Sequence, residues 1–364
     1  METSFGASAP YTVGIEEEFQ LIDPGTLGLA PLISDVLAAR RPGEEDLVTS
    51  ELSSACLETR SPVYGNISEL AAGLPELRRR VKALAERGGA RLAASGTHPF
   101  SDPSDGPVSE GEHYRRVEEE MGWVARTQAI YGLHVHVAVP DEEAAIRAVG
   151  ILAKHVPLLI ALSANSPFWR GHDTRLASTR IKIFDLFPRS GLPPAFRTWG
   201  EFEGHVEKLV AAGSIPDYTW CWWDVRPHPR FGTVEVRVLD AQTDPSRTTA
   251  LAALIQCLVA GAAGETAAPE DPLLLSENKW RATRYGLDAT FHDFASGRSA
   301  KAREAARTLV EGLRPVGQDL ECEDELASVL EILDQGSGTD RQRAVLREVG
   351  SLKGVAEDLI RRTA

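Results

Sequence analysis

Cysteine is scarce in this 364-residue chain: Cys56, Cys221, Cys257 and Cys322 are the only four, with no CxxC spacing among them. That excludes a zinc ribbon or a disulfide framework, and a chain this long needs neither to build a core. Basic charge is also in short supply. With 39 Lys+Arg against 53 Asp+Glu the formal net charge is −14, and such a surface repels nucleic-acid phosphates and anionic lipid. Neither nucleic acid nor a membrane is therefore an expected partner, and a polyanion such as ATP would need local cations to offset the global field. Long apolar runs are missing too. The stretches near Ile151–Ala164 and Ala250–Gly264 fall short of a membrane span of roughly 20 residues, and the first contains Lys154, His155 and Pro157. Both read as buried core helices. The first twenty residues carry no basic-then-apolar leader pattern, so a cytoplasmic location is expected. No internal repeat and no low-complexity linker is present.

The 43% hydrophobic and 25% charged residues have the profile of a soluble globular protein. Short strand-like runs cover Thr12–Ile22, a segment around Glu51–Arg60, Ala90–Ser95, Leu133–Val139 and Thr233–Leu239. Helical patterns fall between them at Ser68–Arg87, Glu110–Ile130, Asp141–Ala164, Glu201–Ala212 and Arg247–Ala260. Acids at 141–143 suit a helix's first turn, and Gly88-Gly89 is a stop signal. Beyond about residue 265 the pattern is all helix: Lys301–Leu313, Glu323–Leu333 and Arg341–Arg362. No composition shift marks a second unit, so residues 1–364 are expected to form a single catalytic domain. Within it, about 11–265 would be the sheet-bearing part and about 266–364 a mostly helical part.

The strands alternate. Val234, Val236 and Val238 share one face and Glu235 and Arg237 the other; His134 and His136 stand opposite Leu133, Val135 and Val137. On the first strand Glu16, Glu18 and Gln20 share a face, with Ile15, Glu17, Phe19 and Leu21 opposite. Such alternation suits an antiparallel sheet covered by helices on one side. An ordinary open face carries opposite charges paired across strands. Here separate strands offer Glu16, Glu18, His134, His136 and Glu235, with Glu58 a further candidate. Stacked acids repel unless cations are supplied, and carboxylates with an imidazole are ligands for Mg²⁺ or Mn²⁺. Taken singly, an EEE run is more often a solvated face and an ExR a cross-strand ion pair; it is the combination that points to a polymetal site.

Glu51 and Glu58 are seven residues apart, so on one unbroken strand they would point to opposite faces, roughly 23 Å from each other. Either a bend intervenes or they serve different subsites. The segment 213–231 holds Trp220, Trp222 and Trp223 beside Arg226 and Arg230. It reads as a packed corner, or as a lid whose arginines grip a phosphate or carboxylate.

Several motifs occur in order: Val13-Gly-Ile-Glu-Glu-Glu-Phe19, Glu51-Leu-Ser-Ser-Ala-Cys-Leu-Glu-Thr-Arg-Ser-Pro62, Leu133-His-Val-His-Val137, Asn165-Ser-Pro-Phe-Trp169, Asp224-Val-Arg-Pro-His-Pro229, Gly232-Thr-Val-Glu-Val-Arg-Val-Leu-Asp240 and Glu277-Asn-Lys-Trp-Arg-Ala282. Together they resemble the YbdK-type carboxylate–amine ligases, often labelled glutamate–cysteine ligase type 2. The resemblance runs from about residue 11 to 290. It implies an α+β, glutamine-synthetase-like fold: a curved antiparallel sheet with helices on the convex face, and ATP with two or three Mg²⁺ (Mn²⁺ as a substitute) on the concave one.

Carried over residue by residue, it implies Glu16, Glu18, Glu58, His134 and Glu235 as metal ligands. Arg237 would face the transferring phosphate, with Glu51 as a further catalytic acid. His136, Asn165 and Arg226 would contact substrate or nucleotide. The implied reaction joins a small-molecule carboxylate to an amine through an acyl phosphate, with glutamate and cysteine as the reference pair. The alternatives are a same-fold phosphotransferase, a metallohydrolase and a non-catalytic nucleotide or amino acid sensor. A homodimer would pair through an exposed sheet edge or the apolar Arg247–Ala260 helix.

Overall fold

The computed structural model describes residues 1–264, 271–294 and 296–363. Its centre is a seven-stranded sheet in which every described pairing is antiparallel. The strands in chain order are β1 (Val13–Ile22), β2 (Thr49–Ser50), β3 (Cys56–Arg60), β4 (Arg91–Ala93) and β5 (Gly132–Ala138), then a separate hairpin of β6 (Phe168–Trp169) with β7 (His172–Asp173), then β8 (Val225–His228) and β9 (Thr233–Asp240). The spatial order is β2-β3-β1-β5-β9-β8, with β4 also on β1.

Strand alternation sorts the side chains as the sequence predicts. Val13, Ile15, Val135, Val137, Val234 and Val236 are buried against the helices Glu142–Ser163 and Pro245–Gly261 in one core cluster. The first helix is long and apolar enough to span a bilayer, but 72% of its apolar window is buried, as in a core helix. Local signals set its limits and those of its neighbours. Asp141 caps it, its carboxylate accepting from the Ala144 N–H at 2.7 Å. Asn66 does the same for helix Ile67–Arg87, which stops at Gly88-Gly89.

Four expectations change. The helix expected over 110–130 breaks into Glu112–Met121 and Trp123–Arg126 at Gly122, whose φ of 57° no helix accommodates. Beyond residue 265 the chain is not all helix, because β10 (Thr290–Asp293) and β11 (Arg298–Lys301) form a hairpin. Helix Pro245–Gly261 is buried from Thr248 to Val259, so its apolar surface is spent inside the fold and cannot pair two subunits. The segment 213–231 is not a free lid either. Trp220, Cys221 and Trp223 sit in a core cluster, and Val225–His228 is the edge strand β8, where Pro227 is tolerated.

The C-terminal helices are continuous with the rest: Ala302, Val310, Cys322 and Val329 lie in the same core cluster as β5 and β9. All four cysteines are free and buried, and Cys257 and Cys322, remote in sequence, stand with their sulfurs 3.6 Å apart.

Candidate active site

The open face of the sheet gathers its acids by register. Direct cross-strand partners are Glu18 with Glu58, Glu16 with His134 and Arg60, and Glu235 with His136 and Arg226. Glu51 joins them because the run around 51–60 is a hairpin rather than one strand. Thr49 pairs with Glu58 and the chain reverses between Glu51 and Ala55, which removes the expected separation.

Three overlapping ligand sets result: Glu16, His136 and Glu235; Glu16, Glu58 and His134; Glu18, Glu51 and Glu58. Within each set the candidate ligand atoms all lie within 4.8 Å of one another. His134 Nδ1 is 3.1 Å from Glu16 Oε2, and its Nε2 is 3.7 Å from Glu18 Oε1. His136 accounts for only one ring nitrogen, Nδ1 against Thr233 Oγ1 at 3.0 Å. Its buried Nε2 has no hydrogen-bond partner and lies 3.8 Å from Glu16 Oε1. An orphaned imidazole nitrogen aimed among carboxylates fits a divalent cation, and the oxygen-rich donor set fits Mg²⁺ or Mn²⁺. Cys56 lies nearby, but burial and then Glu18 push its thiol well above its ordinary value, so it offers no thiolate.

The electrostatics are uneven across the face. Burial, then Glu18, raises the Glu51 carboxyl to about 7. Burial and the charges of Glu16 and Glu51 raise Glu58 well above the carboxylate range. Burial works to raise Glu235 as well, but Arg226 and Arg237 outweigh it and hold that carboxyl well below. Burial first, then Arg237, keeps His134 below its ordinary value and so neutral, the state that ligates a metal. Arg60 bridges Glu58 at 2.8 Å and Glu16 at 3.2 Å, with its side chain 54% exposed.

Arg237 stands where β9 carries an extra residue relative to β5. It pairs with Glu235, its Nε is unpartnered, and it lines a cavity of about 130 Å³ beside the acids.

Two expected contacts are placed differently. Arg226 is buried and largely engaged: Nε donates to Glu235 Oε2 at 2.7 Å, and Nη1 donates to the carbonyls of Thr219 and Cys221. It positions Glu235, and with Nε and Nη1 engaged only Nη2 remains without a protein partner among the described residues. Asn165 belongs to none of the ligand sets and does not line the cavity beside them. Its amide is saturated by the Ala241 carbonyl (2.8 Å), Thr243 Oγ1 (3.1 Å) and Gln342 (2.8 Å), so it ties the end of β9 to the C-terminal helices. The 277–282 motif has a comparable role: Lys279 Nζ holds Asp224 Oδ2 at 2.9 Å, just ahead of β8.

Arg180 was not legible beforehand. It is buried under the acid face, donates to the carbonyls of Val238 and Arg237, keeps Nε unpartnered and lines the cavity. Opposite the charged wall stand Tyr114, Phe187 and Trp222. Only the Trp cluster carried a signal in the sequence.

The profile of glutamate-cysteine ligase family 2 matches residues 12–362. A Rubrobacter xylanophilus protein provisionally named glutamate–cysteine ligase 2-3 is 63% identical over the full length of both chains. A Sorangium cellulosum protein provisionally named glutamate–cysteine ligase 2 is 40% identical, covering 97% of this chain and 96% of its own. Among solved structures, the glutamate–cysteine ligase of Francisella tularensis in complex with AMP superposes with a TM-score of 0.73 at 14% identity, over 98% of this chain and 89% of that one, a likeness of fold. By its sequence over the whole core, and with a fold in agreement, the chain belongs to glutamate-cysteine ligase family 2.

Proposed function

We propose that this protein is an ATP-dependent carboxylate–amine ligase acting on small molecules in the cytoplasm, with glutamate and cysteine as the reference pair. The observation that carries the proposal is the coincidence, on one sheet face, of two carboxylate–imidazole sets and one all-carboxylate set with Arg237, which lines the cavity beside them. Glu16, Glu18, Glu51, Glu58, His134, His136 and Glu235 would hold two or three Mg²⁺. When bound, Mg²⁺ supplies neutralisation of the phosphate oxygens of ATP.

The chain's own residues do the rest. Attack of a substrate carboxylate oxygen on the γ-phosphorus forms an O–P bond as the bond to ADP breaks, giving an acyl phosphate. Arg237, fixed by Glu235, aims its guanidinium at the transferring group and compensates its charge without reorganising. Arg180, which lines the cavity with its Nε unspent, is the cation for a second carboxylate of the acid. The amine then attacks the carbonyl carbon, the C–O bond to phosphate breaks and an amide remains. The phosphate released takes up the proton that the ammonium loses, beside Glu18 and Glu51, which line the cavity. The wall of Tyr114, Phe187 and Trp222 excludes water that would hydrolyse the acyl phosphate. Residues 1–364 act as one catalytic unit in this reading.

The test is ADP release from Mg-ATP against a panel of carboxylates, each with and without a panel of amines, with products identified by mass. ADP formed only with a matched acid and amine, together with the amide mass, is the expected result. ADP without amide would make the protein a phosphotransferase, and no ATP binding at all would refute the proposal.

A further inference from the structure

A second cavity, of about 480 Å³, lies away from the acid face, between the β9-to-helix turn at 242–247 and the C-terminal helices. Its size is that of a small-molecule pocket. Arg247 lines it, and among the described residues its side chain makes no hydrogen bond and no ion pair, although its Nη1 is fully buried. Asp244, Asp340 and Glu331 share its surroundings without reaching it, and Arg362 adds like charge. The neighbouring charges are otherwise engaged. Arg341 holds Asp358 through two contacts, and Asp340 accepts from the Ser337 N–H and hydroxyl. Arg247 is half-buried overall, and a guanidinium nitrogen withdrawn from water with no acceptor is costly unless an anion completes it.

A second orphan faces the same space. Gln342 is 2% exposed, and its Oε1 has no partner. Its orientation is dictated by its neighbours. The Ala241 carbonyl can only accept, so Asn165 presents Nδ2 there and turns Oδ1 to Gln342. Gln342 must then donate its Nε2 to Asn165, at 2.8 Å to Oδ1 and 2.9 Å to the carbonyl, which leaves Oε1 as an unused acceptor. The cavity thus offers a half-buried cation whose buried Nη1 is unmet and a fully buried acceptor that is also unmet.

We propose that this cavity is a second ligand site, for a small carboxylate that also carries a hydrogen-bond donor, the pattern of an α-amino acid: carboxylate on Arg247, ammonium on Gln342 Oε1. The occupant would reach, through Gln342 and Asn165, the end of the strand that bears Glu235 and Arg237.

The experiment is calorimetric titration of the full chain, without nucleotide, with glycine, glutamate, acetate and inorganic phosphate, on wild type and on R247Q. Omitting ATP keeps the outcome independent of the ligase reading. The expected result is binding of glycine or glutamate, weaker binding of acetate, and an affinity for the amino acid reduced roughly tenfold or more in R247Q. Turnover in the ADP assay should be unchanged in that variant. Without ligand R247Q should unfold at or above the wild-type temperature, because it removes an uncompensated charge. Should R247Q fail to fold, R247K carries the test: it keeps the charge without the planar fork and should still weaken binding. The proposal is overturned if none of the probes binds at millimolar concentration, if binding is undiminished in the variant, or if phosphate binds in preference to the amino acids.

Discussion

Glu17 and its neighbours Glu16 and Glu18 are one residue type on one strand, and the two faces of the sheet treat them in opposite ways. On the helix side Glu17 is 2% exposed and meets Arg78, which is fully buried and donates to both carboxylate oxygens at 2.6 and 3.0 Å. Arg78 spends its remaining donors on Thr248 and on the carbonyls of Gln242, Thr243 and Thr363. On the other side Glu18 and Glu58 are direct cross-strand partners, like charge against like, and Glu51 folds in beside them. The difference separates structure from function. Glu17, kept for the fold, is paired and satisfied on the spot, whereas Glu18 and Glu51 have no arginine or lysine partner among the described residues and are left in want of a cation.

Three experiments would break or sharpen that contrast. The largest effect is expected at Glu235, shared by one ligand set and by Arg237. Glu235→Gln should lower kcat by about 10²–10³-fold or more with the far-ultraviolet dichroism unchanged; normal turnover by the folded variant would remove the central metal assignment. Next is Arg78→Ala, which strands Glu17 in the core. It should cost about 3–5 kcal/mol in urea denaturation, with or without Mg²⁺, because the helix-side pair does not communicate with a cation. A variant as stable as wild type would end the distinction between the two faces.

The smallest effect is on pH. Glu51 and Glu58 have folded-state values raised above those of an unfolded carboxylate, Glu51 to about 7. The folded chain therefore binds more protons than the unfolded one in the interval between, and the contribution is full below the unfolded value and lost as pH rises through about 7. In EDTA, the melting temperature of Glu51→Gln relative to wild type should rise from pH 5.5 to pH 8, by roughly 2–4 °C per kcal/mol. The comparison cancels the histidines that burial lowers to about 4, which gain stability over the same range. Mg²⁺ should stabilise the wild type most at pH 8, where no proton competes for the carboxylates. A difference between variant and wild type that stays flat across that range would contradict the repulsion on the acid face.

Much of this was legible in the chain itself. Period-two alternation placed Glu16, Glu18, His134, His136, Glu235 and Arg237 on one face and the valines on the other, because register obliges every second side chain to share a side. Asp141 and Gly88 marked helix ends by local hydrogen bonding and backbone freedom, which need no tertiary partner. Ordered motifs pointed to the family. What no local rule could supply was how distant segments meet. The hairpin that carries Glu51 back to Glu58 depends on β2 finding β3. Arg226 looked free until folding set it beside Glu235, and Asn165 looked like a substrate or nucleotide contact until the C-terminal helices supplied Gln342. Arg180 and Arg247 carried no signal at all, since an arginine's partners, or its lack of them, arise only from packing between elements remote in sequence. Periodicity and capping act over a few residues and so are written along the chain; charge compensation acts through space, and only the folded structure decides it.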